Sequence, residues 1–191
     1  MIRRIKYNEP HKIVEVVSEA ANHEDPESVG FLNLPRDALI FDLAAGTGLL
    51  GQFLTEKGFM HMDAGDASDS MLNVAIERGW YKSTELRWFG MGIDKLSADK
   101  VCTYDCVVAS GAWLKGHVPA VGMDDCHALL KTGGHFVTCM RSIYWVIGDE
   151  QGYKDKIDEL IAAGKFELVH EKRFIRGVGS QESDAAELWL Q

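Results

Sequence analysis

Long apolar runs are missing from this sequence. Nothing approaches the roughly 18 consecutive apolar residues of a membrane helix, so no membrane partner is expected. The start, MIRRIKYNEPHK, has no apolar core after its basic residues and does not read as a secretory signal. Cysteine is scarce and poorly spaced. Cys102 and Cys106 do not form a C-x-x-C pair, and neither Cys126 nor Cys139 supplies a second one. Neither a disulfide scaffold nor a zinc site is therefore expected. Reduced thiols in a cytoplasmic protein are the expectation, with the nucleus also open. No H-x-x-x-H or H-E-x-x-H pattern occurs. The run Asp124-Asp125-Cys126-His127 is compact, but adjacent residues on a helix point in different directions. Clustered positive charge is also lacking. The formal net charge is -9, and no run of Lys or Arg stands out beyond Arg3, Arg4 and Lys6 near the start. That balance argues against nucleic-acid backbone as a partner. Repeats and low-complexity segments are absent, and the length suits one domain spanning 1–191.

What the sequence does hold is an alternation of two periods. HKIVEVVSEAA, 11–21, sets Ile13, Val14 and Val17 at helical spacing, with Pro10 in the first turn. The nearly continuous apolar run at 38–43 suits a parallel strand buried on both faces. A helix over 49–57 stops at Gly58. Further strands are expected at 59–65, 86–89, 104–109, 134–140, 166–174 and 186–190. Helices are expected from a cap near Ser68 to Arg78, and over 119–130 and 149–163. Alternating strands and helices predict an α/β domain with a largely parallel sheet. Such sheets bind ligands beyond the carboxyl ends of their strands.

The stretch DLAAGTGLLG, 42–51, stands at one such end, and GTGLLG reads as G-x-G-x-x-G. Glycines let a ligand approach the main chain and free helix N-terminal amides to face an anion. A pyrophosphate and a carboxylate both suit that, as does a tight turn with no ligand. Asp42 precedes the first glycine by four residues. It would repel phosphate, whereas a cofactor carrying an ammonium and a sulfonium gains from it. Asp66, twenty residues after Gly46, can accept from ribose hydroxyls or simply cap the next helix. It favours a ribose-bearing ligand without choosing between NAD and S-adenosylmethionine.

IFDLAAGTG, GDASDSML, YDCVVASGAW and LLKTGGHFV resemble, in order and spacing, the successive motifs of class I S-adenosylmethionine-dependent methyltransferases. The similarity runs from about Tyr7 to the C-terminus. KYNEPHKIV, GLLGQFL and SGAWLKGHVP resemble more narrowly the methyltransferase-like proteins of the Williams–Beuren syndrome chromosomal region, the type-27 group. The resemblance implies a Rossmann-like, seven-stranded, mostly parallel sheet with helices on both faces. Its strand order would be 3-2-1-4-5-7-6, with strand seven antiparallel. It implies S-adenosyl-L-methionine as cofactor and S-adenosyl-L-homocysteine as product. Residue by residue, Asp42 matches the acid of the first motif. Ala44 stands where a glycine is common, and Gly46 and Gly48 match the next two glycines. Asp66 matches the ribose-binding acid, with Ala67 beside it, and Met71 and Leu72 match the apolar lining of the adenine pocket. Gly92, or Asp94 from a shifted position, stands near the place that meets the adenine amino group. Ser110 and Gly111 match the end of strand four beside the methionine moiety. Tyr7 lies where the N-terminal segment covers the cofactor. Each of these also has a plainer reading as turn, core or loop. The resembled group carries more helix before KYNEP, so an incomplete cover is one expectation.

Methyl transfer from a sulfonium is an in-line displacement that needs positioning and exclusion of water. A protonated acceptor also calls for a base, and histidine is the usual choice. His117, after strand four, is the candidate base or orienting group, with a surface helix cap as the alternative. Trp113, Tyr144 and Trp145 are candidate walls for a flat or apolar acceptor. Strand four ends in ASGAW rather than Asn/Asp-Pro-Pro-Tyr/Phe, which lowers nucleic-acid and glutamine acceptors by the same resemblance. A small-molecule acceptor is expected, with no metal. Two other readings compete: a non-catalytic cofactor-binding or regulatory protein, and an NAD-binding oxidoreductase, for which no catalytic Tyr/Lys pair is evident.

Overall fold

Strand β1 (Ile40–Leu43) is buried at all four positions, as a strand covered on both faces must be. Its side chains alternate between two cores. Phe41 and Leu43 join a core shared with α4 (Gly122–Leu129) and α5 (Tyr153–Ala162). Ile40 joins a second core shared with α1 (Glu9–Ser18) and α2 (Leu49–Glu56). Asp42 projects on Ile40's side. In this computed structural model the described residues are 8–19, 32–175 and 184–190.

The remaining elements are β2 (Met62–Asp66), α3 (Asp69–Arg78), β3 (Ser83–Leu86), β4 (Tyr104–Ala109), β5 (Leu130–Arg141), β6 (Leu168–Ile175) and β7 (Asp184–Leu190). The sheet order is β3-β2-β1-β4-β5-β7-β6. Strands β1 to β5 pair in parallel. Strand β7 lies antiparallel between β5 and β6. The chain thus winds outward from β1 in both directions, which opens a crevice at the carboxyl ends of β1 and β4. Among the described residues, no helix is long and apolar enough to cross a membrane.

Local chemistry fixes most boundaries. Pro10 sits in the first turn of α1, so that helix begins at Glu9 rather than His11. The Ser68 hydroxyl accepts from the Met71 amide at 3.4 Å, and Gly79 ends α3 in the left-handed region at φ 71°. Helix α5 starts at Tyr153 after left-handed Gly152, not at 149. The third strand differs most from expectation. It runs over the polar sequence STEL, Ser83–Leu86, in register with Asp63–Asp66. As an edge strand it needs no apolar run, so Trp88 and Phe89 fall in the loop beyond it.

Candidate functional site

Across the carboxyl ends of β1, β2 and β4 lies a cavity of about 470 Å³, a size suited to one small organic ligand. The loop after β1 forms its floor. Ala44 (φ 58°), Gly46 (φ 56°) and Gly48 (φ 80°) all take left-handed conformations there. For glycine that costs nothing, whereas alanine loses about 1 kcal/mol or more. A Cβ added at Gly46 would lie 3.0 Å from the Met71 Cε, so glycine keeps this part of the floor open.

Asp66, at the end of β2, forms one wall and is 8% exposed. The Gly46 amide donates to its Oδ2 at 2.7 Å, and the Ser68 amide donates to its Oδ1 at 2.8 Å. Two backbone donors therefore fix the carboxylate's plane. Each oxygen keeps accepting capacity for a ligand. A carboxylate so held can receive a pair of hydroxyls.

The opposite wall comes from the loop after β4. Ser110 and Gly111 line it, and further on Gly116, His117 and Val118 do as well. Glu9 of α1, buried at 2% exposure, accepts from the Gly111 amide at 3.0 Å and so pins that loop. Trp88 and Phe89 close the side next to β3. Their loop is tied to α4, because the Gly90 amide donates to buried Asp125 Oδ2 at 2.6 Å. A Cβ at Gly122 would lie 2.5 Å from Val118 Cγ1 and 3.8 Å from Phe89 Cβ. The His117 loop and the post-β3 loop therefore meet beside the first turn of α4.

Of the residues singled out from sequence, Ala44, Gly46, Asp66, Ala67, Met71, Ser110, Gly111 and His117 come together on this cavity. Asp42 does not. The alternation of β1 turns it beneath α2, where it is 1% exposed and its Oδ2 accepts from the Tyr81 hydroxyl at 2.5 Å. Burial raises its pKa to about 7; the Tyr81 hydrogen bond opposes that rise and the nearby Asp66 charge adds to it. Its carboxylate does not line the cavity, and it acts on a ligand there only at a distance, as a charge behind the loop. Gly48 also faces away from the cavity. A Cβ there would meet Tyr81, Ala75 and Trp80 at 3.2 to 3.5 Å. Gly92 and Asp94 lie outside the lining, because β3 ends at Leu86 and the wall falls to Trp88 and Phe89 instead. Tyr7 lies outside the described residues.

Of the candidate acceptor walls, Trp113 and Trp145 are core groups and Tyr144 is partly buried against that core. Trp113 is 2% exposed, packs edge-on to Phe136 and Tyr153, and donates from Nε1 to Thr138 Oγ1 at 2.6 Å. Trp145 is buried and donates to Glu171 Oε1 at 2.9 Å, while Tyr144 packs edge-on to Tyr153. Sequence reasoning passed over Thr47, Trp88, Phe89, Val118 and the support from Glu9. Only the Trp88-Phe89 pair carried a signal, an aromatic doublet next to a strand end.

Comparison with known proteins agrees with this geometry. A methyltransferase-domain family matches residues 40–134. Human methyltransferase-like protein 27 is 31% identical over 133 residues, which is 70% of this chain and 53% of that protein. The chain thus spans about half the length of this curated relative. Magnesium protoporphyrin IX methyltransferase from Synechocystis superposes with a TM-score of 0.57 at 14% identity, over 81% of this chain and 69% of that one. The 1,6-didemethyltoxoflavin-N1-methyltransferase of Burkholderia thailandensis gives 0.57 at 17% identity, over 81% and 71%. At such identities the two structures speak to the fold alone. The family match, the relationship to methyltransferase-like protein 27 and the strand order together place the chain in the class I S-adenosylmethionine-dependent methyltransferase superfamily.

Proposed function

We propose that this chain binds S-adenosylmethionine in the cavity between Gly46, Asp66 and Gly111 and methylates a small-molecule acceptor. The observation that carries the reading is the Asp66 carboxylate, held by the Gly46 and Ser68 amides at the cavity wall. An acid so fixed suits a ribose diol. The glycine floor, which a Cβ at position 46 would crowd against Met71, suits close approach of a ligand to the main chain. When bound, S-adenosylmethionine supplies a methyl group on a sulfonium for displacement.

The chain's own residues have three tasks. Asp66, Gly46 and Met71 hold and orient the cofactor. Ser110 and Gly111, braced by Glu9, shape the side nearest β4. His117, exposed at the rim, has a ring nitrogen that can take a proton from an acceptor's O–H or N–H. The sequence ASGAW at the end of β4, in place of Asn/Asp-Pro-Pro-Tyr/Phe, supports a small-molecule acceptor over nucleic acid.

The test is calorimetric titration with S-adenosylmethionine, S-adenosylhomocysteine and NAD, in wild type and Asp66→Ala. Binding of the two sulfur ligands alone, at least tenfold weaker in the variant, is expected, followed by turnover with some member of a metabolite panel. Binding of NAD alone would overturn the reading. Tight binding of the sulfur ligands with no turnover on any acceptor would favour a cofactor-binding regulatory protein.

A further inference from the structure

The three glycines of GTGLLG face different groups. Gly46 opens toward the cavity. Gly48 and Gly51 open toward Tyr81, on the segment between α3 and β3. A Cβ at Gly51 would lie 2.5 Å from both the Cζ and the hydroxyl oxygen of Tyr81, and one at Gly48 would lie 3.2 Å from its Cε2. The second and third glycines of the motif thus make room for a tyrosine ring, not for a phosphate. Its hydroxyl reaches through that room to Asp42 Oδ2 at 2.5 Å. One turn earlier, Arg78 donates to the Thr47 carbonyl at 2.8 Å, gripping the same loop from the same side.

Asp42 sits two residues behind Ala44 of the cavity floor. Its sheet neighbours in register are Ala64 and Val108, which carry no charge. Among the described residues, the titratable groups acting on it are Tyr81, by hydrogen bond, and Asp66, by like charge. Asp66 is itself held by the Gly46 amide. The Tyr81 hydroxyl is therefore linked by a hydrogen bond to Asp42, and Asp42 by four residues of backbone to Gly46, whose amide holds the ligand-facing carboxylate.

From this geometry we infer that Tyr81 is a positioning residue for the cofactor: its ring sets the shape of the 46–51 loop, and its hydroxyl controls the charge that Asp42 places behind that loop. This rests on the reading of the cavity as an S-adenosylmethionine site. The consequence is a charge preference. S-adenosylmethionine carries a sulfonium and S-adenosylhomocysteine does not, so an ionised Asp42 favours the former. Removing the Tyr81 hydroxyl removes a donor that stabilises the ionised form, so ionisation moves to higher pH.

Two measurements on the full chain test this. The first uses no ligand: the ¹³C shift of the Asp42 carboxyl is followed against pH in wild type and Tyr81→Phe. A midpoint near neutrality that rises in the variant is expected; equal midpoints overturn the link. The second is the ratio of dissociation constants for S-adenosylhomocysteine and S-adenosylmethionine at pH 6 to 9. In wild type the ratio should rise with pH by about threefold or more. In Tyr81→Phe the rise should shift to higher pH, with both ligands about tenfold weaker at pH 8. Asp42→Asn keeps an acceptor for the hydroxyl, and its ratio should be flat. Identical profiles in all three proteins overturn the inference. Failure of wild type to bind either ligand overturns the cofactor reading instead, and the carboxyl shift still decides whether Tyr81 governs Asp42.

Discussion

Replacing Asp42 by asparagine should shift relative stability in the variant's favour as pH rises, on top of a pH-independent offset from the amide N–H donors it buries. The sign follows from proton linkage. Asp42 has a pKa of about 7 in the folded state against an ordinary 3.8. Between those values the folded chain holds a proton that the unfolded chain has released. Stability contributed by this group therefore falls as pH rises from about 4 to about 7 and is flat beyond. At about 1.4 kcal/mol per tenfold change, the whole loss is about 4 kcal/mol. Of this, about 2.5 kcal/mol falls between pH 5 and pH 8. Asparagine has nearly the same shape, cannot ionise and still offers its Oδ1 to the Tyr81 hydroxyl. Urea unfolding of wild type and Asp42→Asn at pH 5, 6, 7 and 8 isolates the effect, since other titrating groups cancel in the difference. The difference should move in the variant's favour by about 2.5 kcal/mol across that range. A difference that stays flat above pH 5 would mean that Asp42 ionises as an ordinary surface carboxylate, and the reasoning from burial would be wrong.

Three further outcomes are expected. Thr138→Val keeps the shape of a fully buried side chain but strands the Trp113 indole N–H and the Ala109 carbonyl that it joins; denaturant unfolding should show a loss of about 2 to 3 kcal/mol. Ala44→Gly relieves a left-handed alanine at φ 58°, worth about 1–2 kcal/mol, against about 0.4–1 kcal/mol of added unfolded-state entropy. Its melting temperature should rise by about 2 °C, and a fall would show that the loop needs the methyl group. His117→Ala should lose turnover on an identified acceptor while its affinity for S-adenosylhomocysteine, measured by calorimetry, stays the same. Unchanged turnover would remove His117 from the chemistry.

The parts of the fold that sequence revealed are those in which one short stretch carries its own cause. The run at 38–43 is apolar because β1 is covered on both faces, and Ser68 and Gly79 bracket α3 by capping chemistry alone. Strand β3 was displaced by three residues because an edge strand has no need of apolar residues, while Phe89 packs from the loop beyond it and Trp88 stays exposed at the cavity. Alternation placed Asp42 opposite Phe41 and Leu43, but which face looks onto a ligand is set by how α2 lies over the sheet. The Glu9 contact to Gly111 joins positions 102 apart in sequence, and no local pattern announces it. Asp66 was legible because its partners, Gly46 and Ser68, belong to the two motifs that flank it.

The fit of Tyr81 against Gly51 makes these two positions interdependent. With 2.5 Å between the tyrosine and the place a Cβ would occupy, residue 51 stays without a side chain only for as long as residue 81 stays large. Gly51→Ala alone should be costly, because the ring must leave Asp42 to make room. Gly51→Ala combined with Tyr81→Leu should recover much of that cost, since alanine is the better helix former. Across related sequences the two sites should then change as a pair, a bulky residue at 81 accompanying glycine at 51 and a small one releasing it. The last glycine of GTGLLG would on that account record the size of a side chain thirty residues away, and would say nothing about which nucleotide the loop receives.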